Sequence, residues 1–181
     1  MNKTPPIRIV LTGSPSSGKT SLLQQLQTAG YMCFEEVSRE IIQESIDNNT
    51  DVNPWENLPA FSQKVFTDRL QQYQDASPGI NFYDRSLVDV LAYLSINNNE
   101  VDVHMQDAVQ QNTYNLVFIA RPWKDIFVND AQRLESWEDA LIVDKALSIT
   151  YSNYGYKLVD LPKATVMERV DFILHYTKTN L

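Results

Sequence analysis

Two glycines, a lysine and a threonine stand in fixed order near the N-terminus, in Gly13-Ser14-Pro15-Ser16-Ser17-Gly18-Lys19-Thr20. The spacing is G-x-x-x-x-G-K-[ST], and each residue type has a task in holding a polyphosphate. Backbone N–H groups must turn inward around the anion, so the chain has to curl tightly, which Gly13 and Gly18 permit. A helix that begins here presents its first N–H groups and partial positive charge to the same anion. Lys19 reaches the β and γ phosphates and the Thr20 hydroxyl ligates Mg²⁺. Pro15 has no N–H to give, so its position must face away from the phosphates. The expected ligand is a nucleoside triphosphate with Mg²⁺. Gly13, Ser16, Ser17, Gly18, Lys19, Thr20 and Ser21 are the candidate residues that bind it.

A second group of charges follows. Asp84 ends the apolar run of Ile80-Asn81-Phe82-Tyr83-Asp84, with Arg85 and Ser86 next. A carboxylate at that place suits a Mg²⁺ ion held beside the phosphate loop, with Thr20 as the other metal-side residue. The plainer alternative is an Asp-Arg pair that caps the next helix. In the stretch 34–42, Glu36 precedes Arg39 and Glu40. In a helix these three would share one face as an ordinary ion-pair cluster. In the functional reading, Glu36 accepts a proton from an acceptor hydroxyl or orients it, at the carboxyl end of a strand. The stretch 119–141 carries Arg121, Lys124 and Arg133. Such cations could close over the phosphates and stabilise transition-state charge. Arg133 with Asp130 could equally be a surface pair, and Trp123 and Phe127 suit a core.

Placing these residues requires strands that end where the charges stand. Apolar runs predict strands over 7–12, 31–35, 80–84, 116–120 and 156–160. Helical periodicity occupies 20–29, 39–46, 60–75, 87–96, 101–112, 137–153 and 165–176. The alternation gives an α/β fold with right-handed crossovers, and nearly continuous apolar strands indicate a parallel sheet covered on both faces. Thr165 with Glu168 matches a capping box, Ser86 can cap the helix after the third strand, and Pro59 suits a first turn.

The whole chain sets bounds. Its 181 residues suffice for one domain with a substantial core, and no linker or repeat divides it. A net charge of −8 argues against a nucleic-acid partner, which requires a basic face. No apolar run approaches the length of a membrane span, and no membrane partner is expected. The one cysteine, Cys33, cannot form an internal disulfide, and a cytoplasmic location is the expectation. His104 and His175 have no metal-ligand spacing around them, so no zinc site is expected.

The segments GSPSSGKTSL, EEVSREI, FYDRSLVDVLAY, RPWKDIFVNDAQR and LVDLPKATVMERVDFIL together resemble the AAA-type P-loop ATPase/kinase family, which includes the ribosylnicotinamide-kinase domain of NadR-type proteins. The resemblance runs over about residues 7–174. It implies a nucleoside-kinase-like P-loop fold with a five-stranded parallel sheet in the order 2-3-1-4-5 and helices on both faces. It also implies a lid at about 121–138, around Asp130 and Arg133, and a loop at 161–164, Lys163 included, bordering the nucleotide base. ATP is the implied nucleotide, with GTP left open.

The leading expectation is therefore a small-molecule, nucleoside-like kinase. ATP–Mg²⁺ lies on the phosphate loop, an unidentified acceptor lies near Glu36, Asp84 and Arg85, and Arg133 closes over them. The alternative is a nucleotide-dependent switch or ATPase with little transfer. N-K-x-D is absent, and D-R-S-L stands where D-x-x-G would, so a Ras-like switch is disfavoured. A motor ring is disfavoured because its helical second domain has no counterpart after the last strand.

Overall fold

The computed structural model describes residues 5–127 and 136–181. Five parallel strands form one sheet in the order β2-β3-β1-β4-β5, as the sequence led us to expect. They are β1 (Pro6–Gly13), β2 (Met32–Phe34), β3 (Gly79–Asp84), β4 (Leu116–Ala120) and β5 (Leu158–Asp160). The helices are α1 (Lys19–Thr28), α2 (Ser38–Asp47), α3 (Leu58–Gln74), α4 (Leu87–Ile96), α5 (Val103–Gln111), α6 (Trp137–Asn153) and α7 (Val166–Asn180), with a 3₁₀ turn at Lys124–Ile126.

Alternation along β1 divides the core. Ile9 and Leu11 face one side with Leu22, Leu26, Phe118, Val170 and Ile173, so α1 and α7 cover that face. Val10 faces the other side with Tyr83, Leu87, Leu91, Val109 and Leu147, under α3 to α6. Burying apolar side chains on both faces is the main force holding such a sheet.

The edges depart from expectation. β2 and β5 are three residues each, not five, and both are partly exposed. Each pairs with a single neighbour, so only the central strands are buried on both faces. Short edge strands also limit pairing with other chains.

The caps follow the sequence closely. Thr165 with Glu168 and Ser86 with Asp89 form capping boxes, and Pro59 lies in the first turn of α3. Helices α1 and α2 differ, because Gly18 and Val37 at their N-caps make no side-chain cap hydrogen bond. Among the described residues no helix is long and apolar enough to cross a membrane.

Candidate functional site

The register of the sheet brings the charged residues together. Leu11 of β1 pairs with Asp84 of β3, and Gly13 pairs with Ala120 of β4. The carboxyl ends of the three central strands therefore meet at the start of the phosphate loop. At Gly13, φ is +138°, and a Cβ there would come within 2.3 Å of the Ala120 carbonyl oxygen. At Gly18, φ is +84°, and a Cβ would meet an Arg169 guanidinium nitrogen at 2.9 Å. Gly13 excludes a side chain against fixed backbone and Gly18 disfavours one through its φ, so the loop can curl as a phosphate cradle must.

Lys19 is buried inside this curl. Its Nζ donates to the Gly13 and Ser14 carbonyl oxygens at 2.9 and 2.8 Å, and to Ser17 Oγ at 3.2 Å. Burial, with the Arg85 charge adding to it, pushes its pKa down to about 7, against the pull of Asp84 and Glu36. An ammonium group satisfied by two carbonyls and a hydroxyl suits an anion that would replace them. Ser17 Oγ donates to the Ser14 carbonyl at 2.8 Å, and Ser14 Oγ is buried with no partner among the described residues. Ser16 takes a left-handed φ of +59° in the same curl. Thr20 and Ser21 stand exposed in the first turn of α1.

Asp84 ends β3 with its side chain buried and its Oδ1 without a hydrogen-bond partner among the described residues. Burial raises its pKa, with Lys19 opposing. A buried, unpartnered carboxylate oxygen wants a cation, so the chemistry of Asp84 fits a Mg²⁺ ion, with the exposed Thr20 hydroxyl of α1 as the other candidate. The capping alternative is not what forms, since Ser86 and Asp89 cap α4 instead.

Arg85 is left-handed, with φ at +73°. Such a backbone costs about 1–3 kcal/mol in a non-glycine residue and persists only when its surroundings determine it. Here the Arg85 N–H donates to the Leu11 carbonyl at 3.0 Å. Its Nε donates to Glu36 Oε2 at 2.5 Å, and its guanidinium lies 5.2 Å from the Tyr93 ring centroid. Despite burial, the neighbouring Tyr93, Glu36, Asp89 and Asp84 push its pKa well above the ordinary value.

Glu36 lies two residues before α2, so it does not join Arg39 and Glu40 on a helical face. It faces the site instead. Its Oε1 accepts from Arg69 Nη2 at 2.5 Å and from the Ser38 hydroxyl at 2.8 Å. Burial raises the Glu36 pKa, but Arg69, Arg85 and the Ser38 donors outweigh it and bring it down to about 2. The sequence reading missed Arg69, which is buried in α3 and also donates to the Asp84 carbonyl at 2.8 Å. A signal was present, since Ser62, Val65, Phe66 and Arg69 follow the i, i+3, i+4, i+7 stripe that a helix buries. An arginine on that stripe must find partners inside.

The residues proposed to close over the phosphates are placed differently. Arg121 is tied down, with Nε donating to Asp160 and Nη1 to Asp144 and Ser148. In this arrangement it does not reach toward phosphates. Trp123 donates to Asp125 and Phe127 packs edge-on against Trp137, so neither joins the two main cores. Asp130 and Arg133 lie outside the described residues. Lys163 is exposed in the turn between β5 and α7.

The fold recurs in solved structures. Deoxyadenosine kinase from M. mycoides with bound dATP matches with a TM-score of 0.70 at 17% identity, covering 95% of this chain and 99% of that one. NadR protein in complex with NR matches with a TM-score of 0.73 at 17% identity, covering 96% of this chain and 52% of that one. Thymidylate kinase from Ehrlichia chaffeensis matches with a TM-score of 0.63 at 12% identity, covering 95% and 98%. At these identities the likeness establishes the fold. No curated protein matches the chain. A family model described as AAA domain matches residues 8–169, which take in the phosphate loop, Glu36, Arg69, Asp84 and Arg85, and the chain belongs to that family.

Proposed function

We propose that this protein is a small-molecule kinase that transfers the γ-phosphoryl group of ATP, carried with Mg²⁺, to a hydroxyl of a nucleoside-like acceptor. The observation that carries this reading is the pairing of Glu36 with Arg85, one residue beyond the buried Asp84 at the mouth of the phosphate loop. A loop built only to hold nucleotide has no need of a carboxylate fixed there by two buried guanidiniums. The folds it shares with nucleoside and nucleotide kinases support the same conclusion.

In this mechanism the loop N–H groups and Lys19 hold the β and γ phosphates; Thr20 and Asp84 would hold the Mg²⁺, which would supply charge neutralisation when bound. Three donors crowd Glu36 Oε1, but among the described residues Oε2 accepts only from Arg85, so on this reading a lone pair of Oε2 serves the acceptor hydroxyl. With a pKa of about 2, Glu36 is a weak base and its first task is to orient that hydroxyl. A loose phosphoryl-transfer transition state asks for little early proton removal. The acceptor oxygen bonds to the γ-phosphorus while the bridging oxygen leaves with its electron pair on ADP. The hydroxyl proton departs late, through Glu36 Oε2. Arg133 completes the charge stabilisation from the 121–138 segment, and Lys163 borders the base.

A regulatory switch or slow ATPase is the second reading, and the low Glu36 pKa favours it to the extent that turnover demands a base. ADP release from ATP–Mg²⁺ separates the two. It is measured alone and with a panel of nucleosides including nicotinamide riboside, with Lys19→Ala as control. Release that rises with one acceptor and vanishes in the control is the expected result. Release indifferent to every acceptor would replace the kinase with the switch.

A further inference from the structure

Asp89 is a charged residue inside an otherwise apolar helix, Leu87-Val88-Asp89-Val90-Leu91, and it is 1% exposed. Its carboxylate joins β1, the turn after β3 and α6. Oδ1 accepts from Thr12 Oγ1 at 2.7 Å, the residue just before Gly13, and more loosely from Arg85 Nη1 at 3.4 Å. Oδ2 accepts from the Ser86 N–H at 2.8 Å, from the Ser86 hydroxyl at 3.2 Å and from the Tyr151 hydroxyl at 2.5 Å. Tyr151 comes from α6, is fully buried, and exchanges a further 2.6 Å hydrogen bond with Ser86 Oγ. A helix cap needs only the two Ser86 contacts. The contacts to Thr12, Arg85 and Tyr151 exceed that need.

We infer that Asp89 and Tyr151 are positioning residues that hold Arg85, and the strand end feeding the phosphate loop, in one fixed relation. This rests on the kinase reading for its consequence in turnover, while the geometry stands apart from it. Asp89 is the second anchor of the Arg85 guanidinium, opposite Glu36, and it ties the same group to Thr12 on β1. Without it, Arg85 could follow Glu36 away from the loop. Tyr151 in turn fixes the carboxylate. Burial first, and then the adjacent Asp89, push the Tyr151 pKa well above its ordinary value, so the hydroxyl remains a donor across the working range of pH.

The test uses the full chain with Tyr151→Phe, which removes one hydroxyl and keeps the ring, and Asp89→Asn, which replaces an acceptor with a donor. Two measurements are made. The first is kcat and KM for ATP with the acceptor found in the nucleoside panel. Tyr151→Phe is expected to lower kcat about tenfold and leave KM within about twofold, the pattern of an interaction felt only in the transition state. The second is the ¹⁵N–¹H signal of the Arg85 Nε–H, assigned by its loss in Arg85→Lys. The Arg8 Nε–H, which donates to the Tyr73 carbonyl, serves as a distant reference. In both variants the Arg85 proton is expected to shift and to exchange about tenfold faster while Arg8 stays unchanged. An unmoved Arg85 signal overturns the inference, whichever way turnover goes. If Asp89→Asn does not fold, Tyr151→Phe alone decides. If the wild-type protein transfers to no acceptor, the kinase reading fails and the Arg85 signal still gives the answer here.

Discussion

The Arg69 guanidinium bridges the side chain of Glu36 and the backbone carbonyl of Asp84, so one buried group from α3 fixes both the Glu36 carboxylate and the end of β3. Neither contact is local, since Glu36 is 33 residues and Asp84 15 residues away along the chain. Two consequences can be measured.

Replacing Arg69 with glutamine is expected to raise the Glu36 pKa from about 2 toward its ordinary 4.5, because a coulombic partner is lost while Arg85 remains. A ¹³C titration of the Glu36 carboxyl measures this directly. Breaking a buried pair from one side also destabilises the fold, by about 3 kcal/mol, readable in urea unfolding. An unmoved titration would mean that Arg85 alone sets the Glu36 charge.

Acid stability follows from the same carboxylate. Its folded pKa of about 2 lies below the ordinary 4.5, so the stabilisation is complete above about pH 4.5 and is lost as the pH falls toward 2. Glu36→Gln should flatten the stability profile in that window and leave its shape above pH 5 unchanged. The same variant should bind ATP nearly as well as the wild type and transfer roughly 10²–10⁴-fold more slowly if the proton leaves through Glu36.

Nucleotide binding should take up a proton. Unliganded Lys19 has a pKa near 7, so at pH 8 it is mostly neutral, and phosphate oxygens in place of carbonyls restore its charge. Calorimetry at pH 8 in buffers of different ionisation enthalpy should show uptake approaching one proton, falling away by pH 6. In Lys19→Arg the uptake should vanish, because arginine does not titrate in this range.

The two loop glycines should differ in cost. Gly13→Ala drives a methyl group into the Ala120 carbonyl, which is backbone and cannot yield, whereas Gly18→Ala meets the end of a flexible Arg169 side chain. Denaturant unfolding should show Gly13→Ala losing at least about 2 kcal/mol, and more than Gly18→Ala. Equal losses would place the strain in φ alone.

The phosphate loop was legible in the sequence because its residues are contiguous. Asp84 and Arg85 were legible because they stand where an apolar strand stops, and the sheet order because the strand-helix alternation and the family resemblance agree. Glu36 was legible as a candidate, yet its partners were not, because the ion-pair reading looked only three and four residues away. Arg69 and Asp89 escaped notice for a related reason. A charge on a buried helical stripe looks ordinary until the sheet register brings a partner from a distant segment. Edge strands β2 and β5 are shorter than their pattern predicts because each has a single neighbour to pair with, and the sequence pattern does not show where that pairing stops.

The two halves of the site hang from unequal supports. The phosphate loop extends from β1, at the centre of the sheet, while Glu36 follows β2, a three-residue strand bonded only to β3. Fraying under mild denaturant or gentle warming therefore reaches the Glu36 side first. In that interval the phosphate loop would keep its curl while the carboxylate facing it had come loose. On the kinase reading proposed above, partial unfolding would thus cost transfer before it cost nucleotide binding.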